Sequence, residues 1–148
     1  MYEFLDYRVS DAMTKEPLAV GPDATIAEAE ALFEHHGFNL LPVVEDRRRL
    51  VGVLSSLDLL KAFQFDEEHL FPPYEEIMRR RVRSVMSERV VSVSPRTPLT
   101  RALEKMVRTR NKSLPVALGG ELVGILSRED VLNALRRAVG GERPKTPI

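Results

Sequence analysis

Apolar positions along this chain change period several times, and the changes recur. Ile26, Ala29 and Phe33 fall at three- and four-residue spacing, which puts them on one face of a helix starting near Thr25. LLPVV at 40–44 and LVGVL at 50–54 follow as short unbroken apolar runs separated by polar EDRRR. Such runs suit buried strands, here joined by a tight turn. The helical period then returns with Leu99, Ala102, Leu103 and Met106, and the paired runs return at 114–118 and 122–126. Behind each second run stands a Ser with an Asp three residues later, in LVGVLSSLD at 50–58 and LVGILSRED at 122–130. The Ser is placed to cap a following helix, expected from 55 to about 63 and from 127 to about 139. A helix start exposes unpaired N–H groups and partial positive charge, which favour anions such as phosphate. A carboxylate there can accept hydrogen bonds from hydroxyl groups, for instance those of a ribose.

These patterns are two copies of one unit. Residues 9–63 align with 82–135 at an offset of 73, falling to 72 before the last strand. Met13 matches Met86, Val20 matches Val93, Pro22 matches Pro95, and LPV at 41–43 matches LPV at 114–116. The one deletion falls in the hairpin turn, where length change costs little. Each copy opens with a helical turn holding the Met, then a brief strand, at 18–20 and 90–93, before a Pro. Thr25 with Glu28 has capping-box spacing, and Thr97 with Pro98 reads as a cap followed by a first helical residue. Gly37 ends the first long helix; the second is expected to end between 109 and 111. The expected fold class is therefore α+β, close to α/β, with two β-α-β-β-α repeats. A unit of about 55 residues is marginal alone, so the pair is expected to pack sheet to sheet about a pseudo-twofold axis. The division is 1–8 N-terminal segment, 9–63 first repeat, 64–81 linker, 82–139 second repeat and 140–148 flexible tail. Phe63, Phe65, Leu70, Phe71 and Tyr74 make the linker unusually apolar, and Pro72-Pro73 stiffens it.

Composition removes several alternatives. The 148 residues carry 22 basic and 22 acidic side chains, so no overall charge draws the chain to nucleic acid or an anionic membrane. No apolar run approaches the roughly 20 residues of a membrane span, and the acidic N-terminus lacks a signal-peptide layout; a cytoplasmic protein is expected. There is no Cys, which excludes disulfides and thiol chemistry. His35 and His36 are adjacent on a helix and make a poor metal pair, and His69 stands alone in the linker. The basic run Arg79, Arg80, Arg81 and Arg83 follows an acidic stretch and reads as internally paired or solvated. No Gly-rich phosphate loop and no acid–base pair is evident, so no enzyme is expected. Charge does divide between the repeats: 9–63 has 5 basic and 9 acidic residues, and 82–135 has 9 basic and 5 acidic, net −4 against +4. Such halves can pair between two chains in antiparallel order.

The doubled order of a Met-containing opening, a strand before Pro, a helix, LPVV or LPVA, then LVGVLSSLD or LVGILSRED resembles a tandem cystathionine-beta-synthase (CBS) domain pair, also called a Bateman module. The resemblance covers nearly the whole chain, from 9 to 135. It implies a non-catalytic regulatory module that binds AMP, ADP, ATP or S-adenosylmethionine in clefts between the repeats. It also implies homodimers formed through helices and control of a separate, unknown partner protein. The family's Gly, Ser and Asp positions fall on Gly52, Ser55 and Asp58, and on Gly124, Ser127 and Asp130. The resemblance gives the Asp to ribose hydroxyls and the Ser with the helix start to phosphate. It sets adenine near Leu18, Val20, Leu41 and Pro42 in one site, and near Val91, Val93, Leu114 and Pro115 in the other. The same Ser-x-x-Asp is also an ordinary capping box, and both roles can coexist. Arg128 follows the second motif Ser and Lys112 precedes SLPV, where the first repeat has neutral Asn39. The Asp130 site is therefore expected to take a nucleotide with phosphates. The Asp58 site is expected to be weaker or to take a less charged adenosyl ligand. A ligand-free protein–protein interaction module is the alternative reading.

Overall fold

The computed structural model describes residues 2–64 and 73–144. In chain order it has a 3-10 turn at Tyr2–Asp6, helix α1 (Val9–Ala12), strand β1 (Thr14–Lys15), α2 (Ile26–His36), β2 (Leu40–Glu45) and β3 (Arg49–Ser55). Then come α3 (Ser56–Ala62), α4 (Tyr74–Arg79), a 3-10 turn at Val82–Ser84, α5 (Leu99–Thr109), β4 (Ser113–Leu118), β5 (Glu121–Ser127) and α6 (Arg128–Val139). The fold is α+β, with helices and antiparallel hairpins. The chain divides into two compact units, one made of 18–90 and the other of 1–17 with 91–148.

The unit of 18–90 is built on the β2–β3 hairpin, paired from Leu40 opposite Ser55 to Glu45 opposite Arg49 with a bulge at Val43/Val44. Leu41, Val43 and Leu54 are wholly buried and pack with Ala29 and Phe33 of α2 and with Val82. The Thr25 hydroxyl accepts the Glu28 N–H at 3.1 Å and caps α2. Gly37 closes the helix at φ 66°, a left-handed backbone that costs Gly little. Asp23 accepts from Arg83 Nε and Nη2 on one carboxylate oxygen, and its carbonyl accepts from Arg81. These two members of the basic run are thus spent inside their own unit.

The other unit repeats the plan. Strands β4 and β5 pair from Ser113 opposite Ser127 to Leu118 opposite Glu121, with the bulge at the equivalent Val116/Ala117. β1 pairs with β5, Thr14 opposite Ile125 and Lys15 opposite Gly124. Leu99, Leu114, Val116, Leu126 and Ala134 form the core together with Phe4, Tyr7 and Val9 from the start of the chain. The Tyr7 ring lies under the Arg137 guanidinium, 5.7 Å away, and its hydroxyl donates to the Glu142 carbonyl at 2.8 Å. Burial pushes the Tyr7 hydroxyl above the ordinary tyrosine pKa.

The compact units do not coincide with the sequence repeats. The opening segment of the first repeat belongs to the unit of the second, and the opening of the second belongs to the unit of the first. The backbone bonds are equivalent in the two. Leu99 N–H donates to Tyr7 O, Val9 N–H to Thr97 O and Ser10 N–H to Pro95 O; Ile26 N–H donates to Arg80 O, Val82 N–H to Ala24 O and Arg83 N–H to Pro22 O. Each long helix thus has an orphan N–H at its start satisfied by the segment that leads into the other repeat.

Other expectations are corrected locally. The strands expected at 18–20 and 90–93 shrink to single parallel bridges, Val20 with Val43 and Val93 with Val116. Val20 N–H donates to Pro42 O and receives Val44 N–H; Val93 does the same with Pro115 and Ala117. The next rung would need an N–H from Pro42 or Pro115, and proline has none. Thr97 does not cap α5. Its hydroxyl accepts the Ser94 N–H at 3.1 Å, and Pro98, at ψ 136°, is the residue flanking the helix. The helix ends on Arg110 at φ 59°. In the linker, α4 forms, and Tyr74 stacks on Phe63 with ring centres 5.7 Å apart. Phe65, His69, Leu70, Phe71 and Pro72 lie outside the described residues, as do the last four of the tail. Glu142, in the segment expected to be flexible, is held by Tyr7.

Candidate functional site

Each unit gathers one set of the residues singled out from the sequence. In the unit of 1–17 and 91–148, β5 ends at Ser127 and α6 begins at Arg128. The Ser127 hydroxyl accepts the Asp130 N–H at 3.1 Å, and Asp130 Oδ2 accepts the Ser127 N–H at 2.9 Å. The capping box is therefore complete, and it fixes the carboxylate. The Thr14 hydroxyl stands 3.5 Å from both Asp130 oxygens. Only this long contact engages Oδ1 among the described residues, so its lone pairs remain available to another donor. Thr14 was not a sequence candidate. It lies 116 positions away, and what brings it here is the exchange of opening segments. The alignment does carry a signal, since each repeat has a hydroxyl residue after its Met, Thr14 and Ser87.

The motif glycines explain that placement. A Cβ on Gly124 would lie 2.8 Å from Met13 Sδ and 2.9 Å from Thr14 O. One on Gly52 would lie 2.9 Å from Ser87 O and 3.0 Å from Met86 Sδ. The Met-containing openings thus run directly over the glycines, where no side chain fits. Residue 14 is brought beside Asp130 because Gly124 lets its backbone approach.

In the unit of 18–90, Ser55 and Asp58 form the same box: the Ser55 hydroxyl accepts the Asp58 N–H at 3.1 Å, and Asp58 Oδ2 accepts the Ser55 N–H at 2.8 Å. Two differences separate it from the Asp130 set. Ser87, the counterpart of Thr14, turns its hydroxyl to the Arg89 carbonyl at 3.5 Å. Helix α3 has 7 residues where α6 has 12.

Arg128 has a role that the sequence did not suggest. Its Nη2 donates to the Arg110 carbonyl at 3.1 Å, where α5 ends, and its N–H donates to the Lys112 carbonyl. A cation at a helix C-terminus is favourable, and among the described residues four of the five guanidinium donors remain for other partners. The Lys112 side chain is exposed, and Asn39 holds the Lys112 backbone role in the other unit by accepting the Ser56 N–H. The apolar candidates divide. Leu41 and Leu114 are wholly buried, Val20 and Val93 nearly so, and all four belong to the cores. Pro42 and Pro115 are buried too. A ligand would meet these six through backbone. Leu18, 45% exposed, and half-buried Val91 keep side-chain surface to offer.

Among the described residues no His, Asp and Glu side chains gather as a metal-binding group of three, and no helix is long and apolar enough to cross a membrane.

The doubled hairpin, with a capped Asp at the start of each following helix, is an α+β unit built twice, and its family can now be stated. The CBS domain model matches residues 9–64 and again 82–137; the chain belongs to the CBS domain family and consists largely of two such domains. It is similar to the crystal structure of CBSX2 in complex with AMP, with a TM-score of 0.77 and 29% identity over 90% of this chain and 98% of that one. It is also similar to the CBS domain pair of protein MJ0100 in complex with 5′-methylthioadenosine and S-adenosyl-L-methionine, with a TM-score of 0.69 and 25% identity over 91% of this chain and 97% of that one. The L-aspartate semialdehyde sulfurtransferase of Methanocaldococcus jannaschii is 28% identical over 91% of this chain, which spans 24% of that protein. Enzymes of the family thus carry the same domains as one part of a longer chain.

Proposed function

We propose that this chain is a non-catalytic sensor of adenosine-containing ligands, and that AMP is held at the Asp130 set. The observation that carries the reading is Asp130: a carboxylate fixed by its own helix cap, with Oδ1 left to Thr14 alone among the described residues. A vicinal diol supplies two O–H donors suited to such a carboxylate. The N-terminus of α6, capped by Ser127, and the remaining donors of Arg128 suit a phosphate. Relatives of the same family hold AMP and S-adenosyl-L-methionine in crystals, which supports the class of ligand.

The two sets are not equal in this reading. The unit holding Asp130 carries 13 basic and 9 acidic residues, and the unit holding Asp58 carries 9 and 13, net +4 against −4. The Asp58 set has no cation matching Arg128, where Ser56 stands, and its helix is shorter. It takes phosphate-bearing ligands weakly, or a less charged adenosyl compound. The ligand acts by favouring one conformation over another, and the module passes that change to a separate protein while working as a pair of identical chains in the cytoplasm.

A thermal-shift panel of AMP, ADP, ATP, S-adenosylmethionine, NAD and GMP tests the reading. A ligand at about 100 times its Kd adds roughly 2.7 kcal/mol of stability. Adenosine compounds are expected to raise Tm and GMP is not. No shift with any adenosine compound, in protein shown free of carried-over ligand, would favour a ligand-free interaction module. The exposure of Leu57 and Leu60 on α3 is the observation on that side.

A further inference from the structure

The segments that run beside β2 and β4 are held differently in the two units. Their backbone bonds are equivalent: Val93 N–H donates to Pro115 O and receives Ala117 N–H, as Val20 does with Pro42 and Val44. The turn that follows is shared too, with Thr97 N–H donating to Ser94 O at 3.1 Å and Ala24 N–H to Gly21 O at 3.2 Å. In the unit of Asp130, side chains add three ties. Lys105 Nζ, on α5, donates to the Ser92 carbonyl at 3.0 Å. The Thr97 hydroxyl accepts the Ser94 N–H at 3.1 Å, and the Ser94 hydroxyl accepts the Arg96 N–H at 3.2 Å. The repeat alignment puts Leu32, Ala24 and Gly21 in the places of Lys105, Thr97 and Ser94. None of these has a side-chain donor or acceptor, so the first repeat cannot make any of the three bonds. Leu32 packs against the core of its unit instead. Holding a lysine on a carbonyl costs more side-chain entropy than holding a leucine in the same place.

We propose that Lys105 and Thr97 are positioning residues for the base of the ligand, holding 91–94 in its binding conformation before the ligand arrives. This rests on the reading of AMP at the Asp130 set, with adenine against Val91 and Val93 as the family resemblance implies. Half-buried Val91 is the side chain there with surface to offer. Lys105 fixes the peptide plane that joins Ser92 to Val93, one residue from Val91. Thr97 fixes the next amide after Val93, that of Ser94. A segment ordered in advance binds without the entropy loss of ordering it. Both side chains act through the backbone, and neither needs to touch the ligand. The Val20 segment has no such help, and Gly21 in it has the most backbone freedom to lose. These ties give the Asp130 set an advantage in holding the base that does not depend on charge.

The test is isothermal titration of AMP into the full chain, with amide exchange of 91–94 followed in the free protein and folding of each variant checked by its melting temperature. Lys105→Met keeps the reach of the side chain and loses the donor; Thr97→Val keeps the shape and loses the acceptor. Each is expected to speed exchange in 91–94 and to weaken AMP binding about tenfold. Lys105→Arg and Thr97→Ser, which keep the bonding groups, are expected to stay within about threefold of wild type. The double variant of Lys105→Met with Thr97→Val should lose far less than the product of the two single losses, because either change already frees the same segment. A loss confined to Lys105→Met and erased by salt would mean that the ammonium meets the phosphate directly, and would overturn the positioning role. Faster exchange with unchanged AMP affinity would overturn it too, leaving the ties purely structural. In either case AMP binding that falls in Asp130→Ala would leave the reading of the site standing. Wild type that binds no AMP would overturn that reading and the positioning role with it.

Discussion

Gly124 is where the smallest change in this molecule should have the most specific effect. A methyl group there meets Met13 Sδ at 2.8 Å and Thr14 O at 2.9 Å. Gly124→Ala is expected to cost about 1–3 kcal/mol in urea unfolding, the range for overpacking a close contact. Met13→Ala in the same chain should restore only part of that, since the sulfur leaves but the Thr14 carbonyl, being backbone, does not. Unchanged stability in Gly124→Ala would mean that the opening segment does not lie over β5. At this scale the sequence was most informative. Ser55, Asp58, Ser127 and Asp130 could be singled out because a cap needs a short hydroxyl followed three residues later by an acid, and that spacing is local. Thr14 was not legible, because its place beside Asp130 depends on which repeat its segment joins. Arg128 was read as a phosphate ligand. Its bond to the Arg110 carbonyl depends on where α5 ends, and α5 ends on a left-handed arginine that the sequence does not announce.

At the scale of elements, the helices and hairpins follow from period and turn chemistry, and the bulges at Val43/Val44 and Val116/Ala117 sit at matching places. The brief strands around Val20 and Val93 were overread because their apolar residues suggest a ladder, while the limit lies in the partner strand's Pro42 and Pro115. The exchanged openings were the larger surprise. A repeat seen in sequence shows which residues are alike, and carries no information about which copy packs with which. The exchange makes an expectation that sequence repeats alone would reverse. Removing residues 1–14 should leave β2 and β3 protected from hydrogen exchange and should raise exchange in β4, β5 and α6, whose core contains Phe4, Tyr7 and Val9. If β2 and β3 lost protection instead, the opening segment would belong with its own repeat.

The whole molecule is a pair of similar units with opposite charge, and that contrast is what makes them inequivalent as sites. Their hairpins, capping boxes and glycine crossings are equivalent. The differences lie in Thr14 beside Asp130, Arg128 beside Ser127, the longer α6 and a net charge of +4 against −4. The central claim is that these differences direct a phosphate-bearing adenosine ligand to one unit. Isothermal titration of AMP into wild type, Asp58→Ala and Asp130→Ala tests it most directly. Each variant also loses the carboxylate half of its capping box while keeping the capping Ser, so each must first be shown to be folded at the titration temperature. The expected result is tight AMP binding in wild type and in Asp58→Ala, with affinity falling at least tenfold in Asp130→Ala. If Asp58→Ala abolished binding while Asp130→Ala left it intact, the assignment of the two units would be contradicted.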